Sequence, residues 1–189
     1  MSDSPELLND DGTASMATAL MMSHHAFRRD VLRFALALRR VAAGDGSRIE
    51  ALREEWTFYR QALHGHHQAE DTGIFPDLRN RQPSLGAVLD KLTADHERID
   101  PLLEQGDRAF AELPKTQTAA RLVEELNALL QPHLALEEEQ IVPFLREDRA
   151  LPPPANDDEA DMFAQGFAWS FQGIAPEVLD RVRAILPES

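Results

Sequence analysis

Apolar residues recur every three to four positions through most of this chain, and no stretch sustains the strict alternation of a half-buried strand. The pattern predicts an all-α fold. A first helix is expected from about Ser15 to Ala43, with Leu20, Phe27, Val31, Phe34 and Leu38 on one stripe, ending at Gly44-Asp45-Gly46. A second is expected from about Ser47, a favourable N-cap, with Ile49, Leu52, Trp56, Tyr59 and Leu63 facing inward until Pro76. The third begins near Ser84, carries Leu85, Leu89, Leu92, Ile99 and Leu103, contains Pro101 and fades near Leu113-Pro114. The fourth runs from about Thr116 to Asp148, with Leu122, Leu126, Leu129 and Leu136 inward and Pro132 within it. Short connections between four such helices imply an up-down-up-down four-helix bundle.

The periodicity changes after residue 150. From Leu151 to Asp161 the chain is proline-rich and acidic, as in a linker or an extended wrap. Met162, Phe163, Phe167, Trp169 and Phe171 then crowd a short helical segment. A last helix starts at Pro176, a favoured first helical position, and carries Val178, Leu179, Val182 and Ile185. So apolar a tail should pack on the bundle or on a second copy of the chain, which would make a homodimer. The aromatic run reads first as packing; its functional reading is a lid or a dimer surface. The expected organisation is a flexible N-terminus at 1–13, the bundle at 14–150, the linker at 151–161 and a C-terminal helical segment at 162–189.

Composition narrows the chemistry. The 189 residues suffice for one domain with its own core. There is no cysteine, which excludes disulfides, thiolate clusters and cysteine nucleophiles and makes a reducing cytoplasm the default location. With 33 Asp and Glu against 19 Lys and Arg, the surface should repel phosphate backbones and anionic headgroups, so neither nucleic acid nor a membrane is an expected partner. The first residues, Met1 to Asp11, are acidic and do not read as a secretory signal, and no apolar run approaches the roughly 20 residues that span a bilayer.

Histidine and carboxylate are left to carry any chemistry, and they are ordered. The seven histidines are His24, His25, His64, His66, His67, His96 and His133, with at least one on each predicted bundle helix. Two segments repeat one another, one starting at His66 and the other at His133. Counted from that histidine, each has Glu at +4 (Glu70, Glu137), an acid at +5 (Asp71, Glu138), Ile at +8, Pro at +10 and Leu at +12. A histidine and a glutamate four apart share one helix face, so both can reach one metal ion or a bridged pair. His24 and His96 occupy apolar stripes and lack the matching glutamate four residues on. The interior set is therefore His24, His66, Glu70, His96, His133 and Glu137. Two carboxylates able to bridge, among four imidazoles, match the logic of di-iron and di-manganese sites built between facing helices. Donors without thiolate suit iron, zinc or manganese, and the bridging carboxylates favour two iron ions. Burying these groups with no metal would be costly. His25, His64 and His67 read as flanking residues. Asp71 and Glu138 lie about 100° around the helix from the preceding glutamates and read as orienting or solvent-facing groups. Arg28-Arg29 and Arg39-Arg40 read as solvated faces.

Across about Ala14 to Arg149 the chain resembles the hemerythrin-like, or HHE cation-binding, domains. The resemblance rests on His24-His25-Ala26-Phe27, on His66-His67-Gln68-Ala69-Glu70-Asp71 with Phe75-Pro76, on Asp95-His96 with Ile99, and on His133 with Glu137-Glu138. It implies a non-haem di-iron centre with bridging carboxylates, an oxygen-derived bridge and an open position for dioxygen, peroxide or nitric oxide. Oxygen-carrying members have a second histidine four residues after the one on the third helix; here that position is Asp100. Asp100, His67, His25 or water could complete the coordination, and the sequence does not choose among them. Three functions are expected in turn: a binding, sensing or scavenging module, a di-iron oxidoreductase acting on peroxide, nitric oxide or a small organic substrate, and a helical interaction protein with a structural metal.

Overall fold

The computed structural model describes residues 7–148 and 157–185 and is helical throughout, with no strand among the described residues. The long helices are α1 (Met16–Ala42), α2 (Ile49–Ala69), α4 (Gly86–Ala111) and α5 (Thr116–Gln140), packed as a helical bundle. Shorter helices are α3 (Phe75–Arg81), α6 (Val142–Leu145), α7 (Asp157–Ser170) and α8 (Pro176–Val182). No helix is long and apolar enough to cross a membrane among the described residues. The chain divides into two compact units, one of residues 27–135 and one of residues 1–26 with 136–189.

The 27–135 unit is organised by aromatic side chains. The Phe34 ring of α1 meets Trp56 and Tyr59 of α2 and Phe110 of α4 edge-on, with centroids 5.6, 5.4 and 5.4 Å away. Trp56 stacks on Phe110 at 4.4 Å. Each such pair adds about 0.5–1.5 kcal/mol beyond the burial itself. The Trp56 indole N–H donates to Asp107 (3.0 Å), so its one polar atom is satisfied at the rim of the core. Arg53 closes the end of α4: its guanidinium donates to the carbonyls of Phe110, Ala111 and Leu113, where the helical ladder runs out.

Two elements depart from the sequence reading. Ser47 does not cap α2; its hydroxyl donates to Asp45 at 2.6 Å, and the helix starts after Arg48. The competing local turn captures the hydroxyl. In α5 the buried stripe is Leu122, Val123, Leu126, Leu130 and Leu134, whereas Leu129 and Leu136 are only partly buried. The stripe advances by fours, which brings His133 and Glu137 onto the same inward face.

The repeated Ile-x-Pro segments are helix breaks. After α2 one π-helical turn, Glu70–Ile74, intervenes before α3, which has Pro76 in its first turn. After α5 a single turn residue, Ile141, precedes α6 with Pro143 in its first turn. A proline is tolerated there because first-turn amides lack helical partners.

In the other unit, Val178, Val182 and Ile185 of the tail bury themselves against Met22 and Ala14, with Leu7, Leu8, Phe167, Phe171 and Ile174 around them. The tail's apolar face is thus covered from within the chain. Ser15 precedes α1, and its backbone amide donates to the Thr18 hydroxyl, which reaches back from three residues on, at 3.0 Å. Arg146 holds the entering strand of chain by donating to the Leu8 carbonyl at 2.9 Å. The N-terminus expected to be flexible at 1–13 is therefore packed from Leu7 onward, and residues 1–6 lie outside the described residues. Of the expected linker, residues 151–156 lie outside them too, and α7 is already helical at Asp157. The side chains of Met162 and Phe163 also fall outside those described.

Candidate metal centre

Helix geometry sets the first pair. His66 and Glu70 lie one turn apart at the end of α2, with His66 Nε2 3.2 Å from Glu70 Oε1. The other oxygen of Glu70 is 3.4 Å from Nε2 of His96, which α4 brings in from across the unit. One carboxylate at 1% exposure thus faces two imidazoles through its two oxygens. The next residue, Asp71, takes the far side of the same ring: its Oδ2 lies 2.9 Å from His96 Nδ1, and Thr93 donates to its Oδ1 at 3.0 Å. A carboxylate on Nδ1 fixes the tautomer and ring orientation and turns Nε2 toward the interior.

The unit that contains α1's first turns repeats the device. His24 Nε2 is 3.3 Å from Glu137 Oε2, and His24 Nδ1 is 3.0 Å from Glu138 Oε1. The acid at +4 faces Nε2 and the acid at +5 holds Nδ1, as Glu70 and Asp71 do for His96. The two acidic neighbours that sequence left between orienting and solvent-facing roles are hydrogen-bonded to imidazole.

His24 is fully buried. Burial works to lower its pKa, but hydrogen bonds and charge from Glu137 and Glu138 together outweigh it and raise it above 6.5. Asp100 is the reverse case: its partial burial raises, but hydrogen bonds and charge from His67 and His64 prevail and hold it below 3.8. A raised histidine adds stability below its unfolded pKa and loses it as pH rises through the folded one; a lowered carboxylate adds stability above its unfolded pKa and loses it on acidification. The metal-free protein should therefore melt highest between about pH 4 and 6.5 and lose stability on either side. Thermal melts of metal-free wild type and His24→Gln from pH 3 to 9 check this. Equal slopes above pH 6.5 in both would contradict the assignment to His24.

Two further imidazoles sit close to His96 within the 27–135 unit. His67, His96 and His133 each offer a nitrogen within 4.8 Å of the others, and all three are buried. The His67 ring lies parallel to His96 at 4.1 Å, and His133 stands edge-on to His67 at 5.6 Å and to His96 at 4.9 Å. Phe75 lies parallel to His96 at 5.7 Å and Phe27 leans on His66 at 5.1 Å, which gives the imidazoles apolar walls.

The family model for the hemerythrin HHE cation-binding domain matches residues 15–145. The chain belongs to this family. Among curated proteins it is 27% identical over 173 residues to the uncharacterized protein Rv1995 of Mycobacterium tuberculosis and to the uncharacterized protein Mb2018 of Mycobacterium bovis. Each match covers 85% of this chain and 66% of the relative's own length. No solved structure matches the chain. The hemerythrin-like match takes in every histidine and both His-x-x-x-Glu repeats and stops before α7.

One placement within this hemerythrin-like domain departs from the sequence reading. His67 reads there as a flanking residue, yet it is 1% exposed. Its Nδ1 is 2.6 Å from Asp100 Oδ1, while Asp100 Oδ2 is 2.9 Å from Nδ1 of the half-exposed His64. Helix rotation does place His66 and His67 about 100° apart. That is no bar to His67 being buried beside a partly buried His66, because α2 is packed on more than one side. The sequence signal that could have found His67 is the apolar Leu63 four residues before it, which is fully buried.

Proposed function

We propose that this chain is a non-haem di-iron protein in which His24, His66, Glu70, His96, His133 and Glu137 would hold two iron ions, Glu70 and Glu137 supplying the carboxylates. The pair binds dioxygen, peroxide or nitric oxide in a reducing cytoplasm, for which the absence of cysteine is the support. The observation that carries the reading is the twofold use of one device: a buried glutamate facing Nε2 of a histidine whose Nδ1 is held by the next acid. A buried carboxylate costs several kcal/mol unless a charge compensates it, and two metal cations supply that charge. Four imidazoles and two carboxylates fit iron, manganese or zinc and exclude nothing that iron requires.

When bound, an iron pair supplies electrons to a small oxidant or diatomic ligand. The chain's own residues do the rest. Asp71 and Glu138 hold protons on Nδ1 of His96 and His24, so that Nε2 is the donor in each. Phe27 and Phe75 keep water from the ring faces they cover. The donors other than His66 are no more than 3% exposed, which suits ligands of two or three atoms.

The test is metal analysis and an absorption spectrum after anaerobic loading with ferrous iron. Two ions per chain, a spectrum that changes on adding nitric oxide, and reversal when the gas is removed are expected. Steady oxygen evolution from peroxide would instead make the protein an oxidoreductase at the same centre. One ion or fewer per chain, or a preference for colourless zinc when both metals are offered, would overturn the reading.

A further inference from the structure

The repeat that relates the two histidine–glutamate segments has one conspicuous break. One residue after His66 stands His67, but one after His133 stands Leu134. Four residues after His96 stands Asp100, but four after His24 stands Arg28. Both His67 and Leu134 are buried, so the difference is of chemistry and not of exposure. Asp100 is bonded to the His67 ring, whereas Arg28 donates to the side-chain oxygen of Gln131 at 3.1 Å. A buried imidazole backed by a carboxylate therefore occurs at one of two positions that the repeat makes equivalent. Packing alone does not ask for it, since leucine fills the other.

We infer that His67 is a metal ligand, forming a three-imidazole set with His96 and His133, and that Asp100 is its positioning residue. The inference rests on the di-iron reading and adds one ligand to it. Asp100 Oδ1 engages Nδ1 of His67, so Nε2 is the nitrogen presented to a metal. Two ligand nitrogens on one ion, each at about 2.0–2.1 Å from it, are at most about 4.2 Å apart. The donors of His67, His96 and His133 all lie within 4.8 Å of one another, close enough for adjustment of the side chains to bring them onto one ion. His96 has its Nδ1 held by Asp71 in the same way, at 2.9 Å. Asp100 is not itself a ligand: its two oxygens are engaged by His67 and His64, and it stands a third exposed. The residue at the position where the sequence lacks a fifth histidine thus acts by orienting one that the preceding helix provides.

The experiment uses full-length protein labelled with ¹⁵N-histidine and loaded with ferrous iron. Ring N–H signals of histidines bound to the paramagnetic ion are displaced from the ordinary window and can be counted. Wild type should show five, and His67→Gln four. Asp100→Asn should keep five, displace the one that His67→Gln removes and leave the rest in place. It should also release iron to a chelator about 10–100-fold faster, the usual penalty for removing such a partner. If wild type binds two ions but shows four displaced signals that His67→Gln leaves untouched, this inference falls and the di-iron reading stands. Wild type binding fewer than two ions sinks both. Should His67→Gln fail to fold, Asp100→Asn decides: unchanged signals and an unchanged release rate overturn the assignment.

Discussion

Glu70→Gln is expected to abolish binding of the proposed metal pair without lowering the stability of the metal-free protein. The side chain keeps its volume, so no cavity opens, and the amide can still bond to His66 and His96, which lie 3.2 and 3.4 Å from the carboxylate. What disappears is a buried negative charge. In the metal-free protein that charge costs stability, by several kcal/mol before compensation. With metal present it is the charge that binds. Metal content should fall from two ions per chain to fewer than one, while the melting temperature of the stripped protein stays level or rises. Glu137→Gln, in the equivalent position beside His24, should do the same. The opposite pair of results, metal retained and stripped protein melting lower, would show that Glu70 is a structural hydrogen-bonding group and would remove the basis for a bridged pair. Opposed effects of this kind are the usual mark of residues kept for function at a cost in stability.

A second large effect is expected far from the histidines. Gly106 lies on α4 directly against the Trp56 indole: a Cβ added there would stand 1.9 Å from Cζ2 and 2.5 Å from Cε2 of that ring. The indole cannot retreat. It is 1% exposed, stacked on Phe110 and tied through its N–H to Asp107. Gly106→Ala gains about 1 kcal/mol of helix propensity, but overpacking a filled core costs about 1–3 kcal/mol and sometimes more. The clash should win, with a fall in melting temperature of about 2–4 °C for each kcal/mol lost. Gly65→Ala provides the control. Gly65 is exposed on α2 with nothing within 4 Å of its added Cβ, so the same substitution should stabilise there. Paired melts of the two metal-free variants check the sign. A neutral Gly106→Ala would mean that α2 and α4 can separate cheaply, and the aromatic cluster would not be the rigid element argued above.

Both expectations bear on how much of the molecule its sequence discloses. The helices were legible because an amphipathic helix writes its buried face into contiguous sequence. Phe27, Val31, Phe34 and Leu38, or Leu52, Trp56, Tyr59 and Leu63, can be read as stripes and are buried as stripes. The pairing of His66 with Glu70 is of the same kind, since four residues make one turn. Gly44 and Pro76 mark breaks, whereas Pro101 and Pro132 lie inside α4 and α5. In the fourth helix the period alone does not choose between Leu129 and the adjacent Leu130, or between Leu136 and Leu134 two residues before it, and packing buries Leu130 and Leu134.

By itself, then, the sequence determined the helical class, the main stripes and the +4 histidine–glutamate pairs, all of which depend on rotation within one helix. The tertiary structure decided which acid meets which imidazole across long separations. Asp71 reaches His96 over 25 positions, and Glu138 reaches His24 over 114. It also decided that His67 turns inward against Asp100, and that Trp56 needs a glycine opposite it on α4. These depend on how one helix is set against another, which no single helix records. A change of a few degrees in packing would leave every stripe intact and still separate each of these pairs.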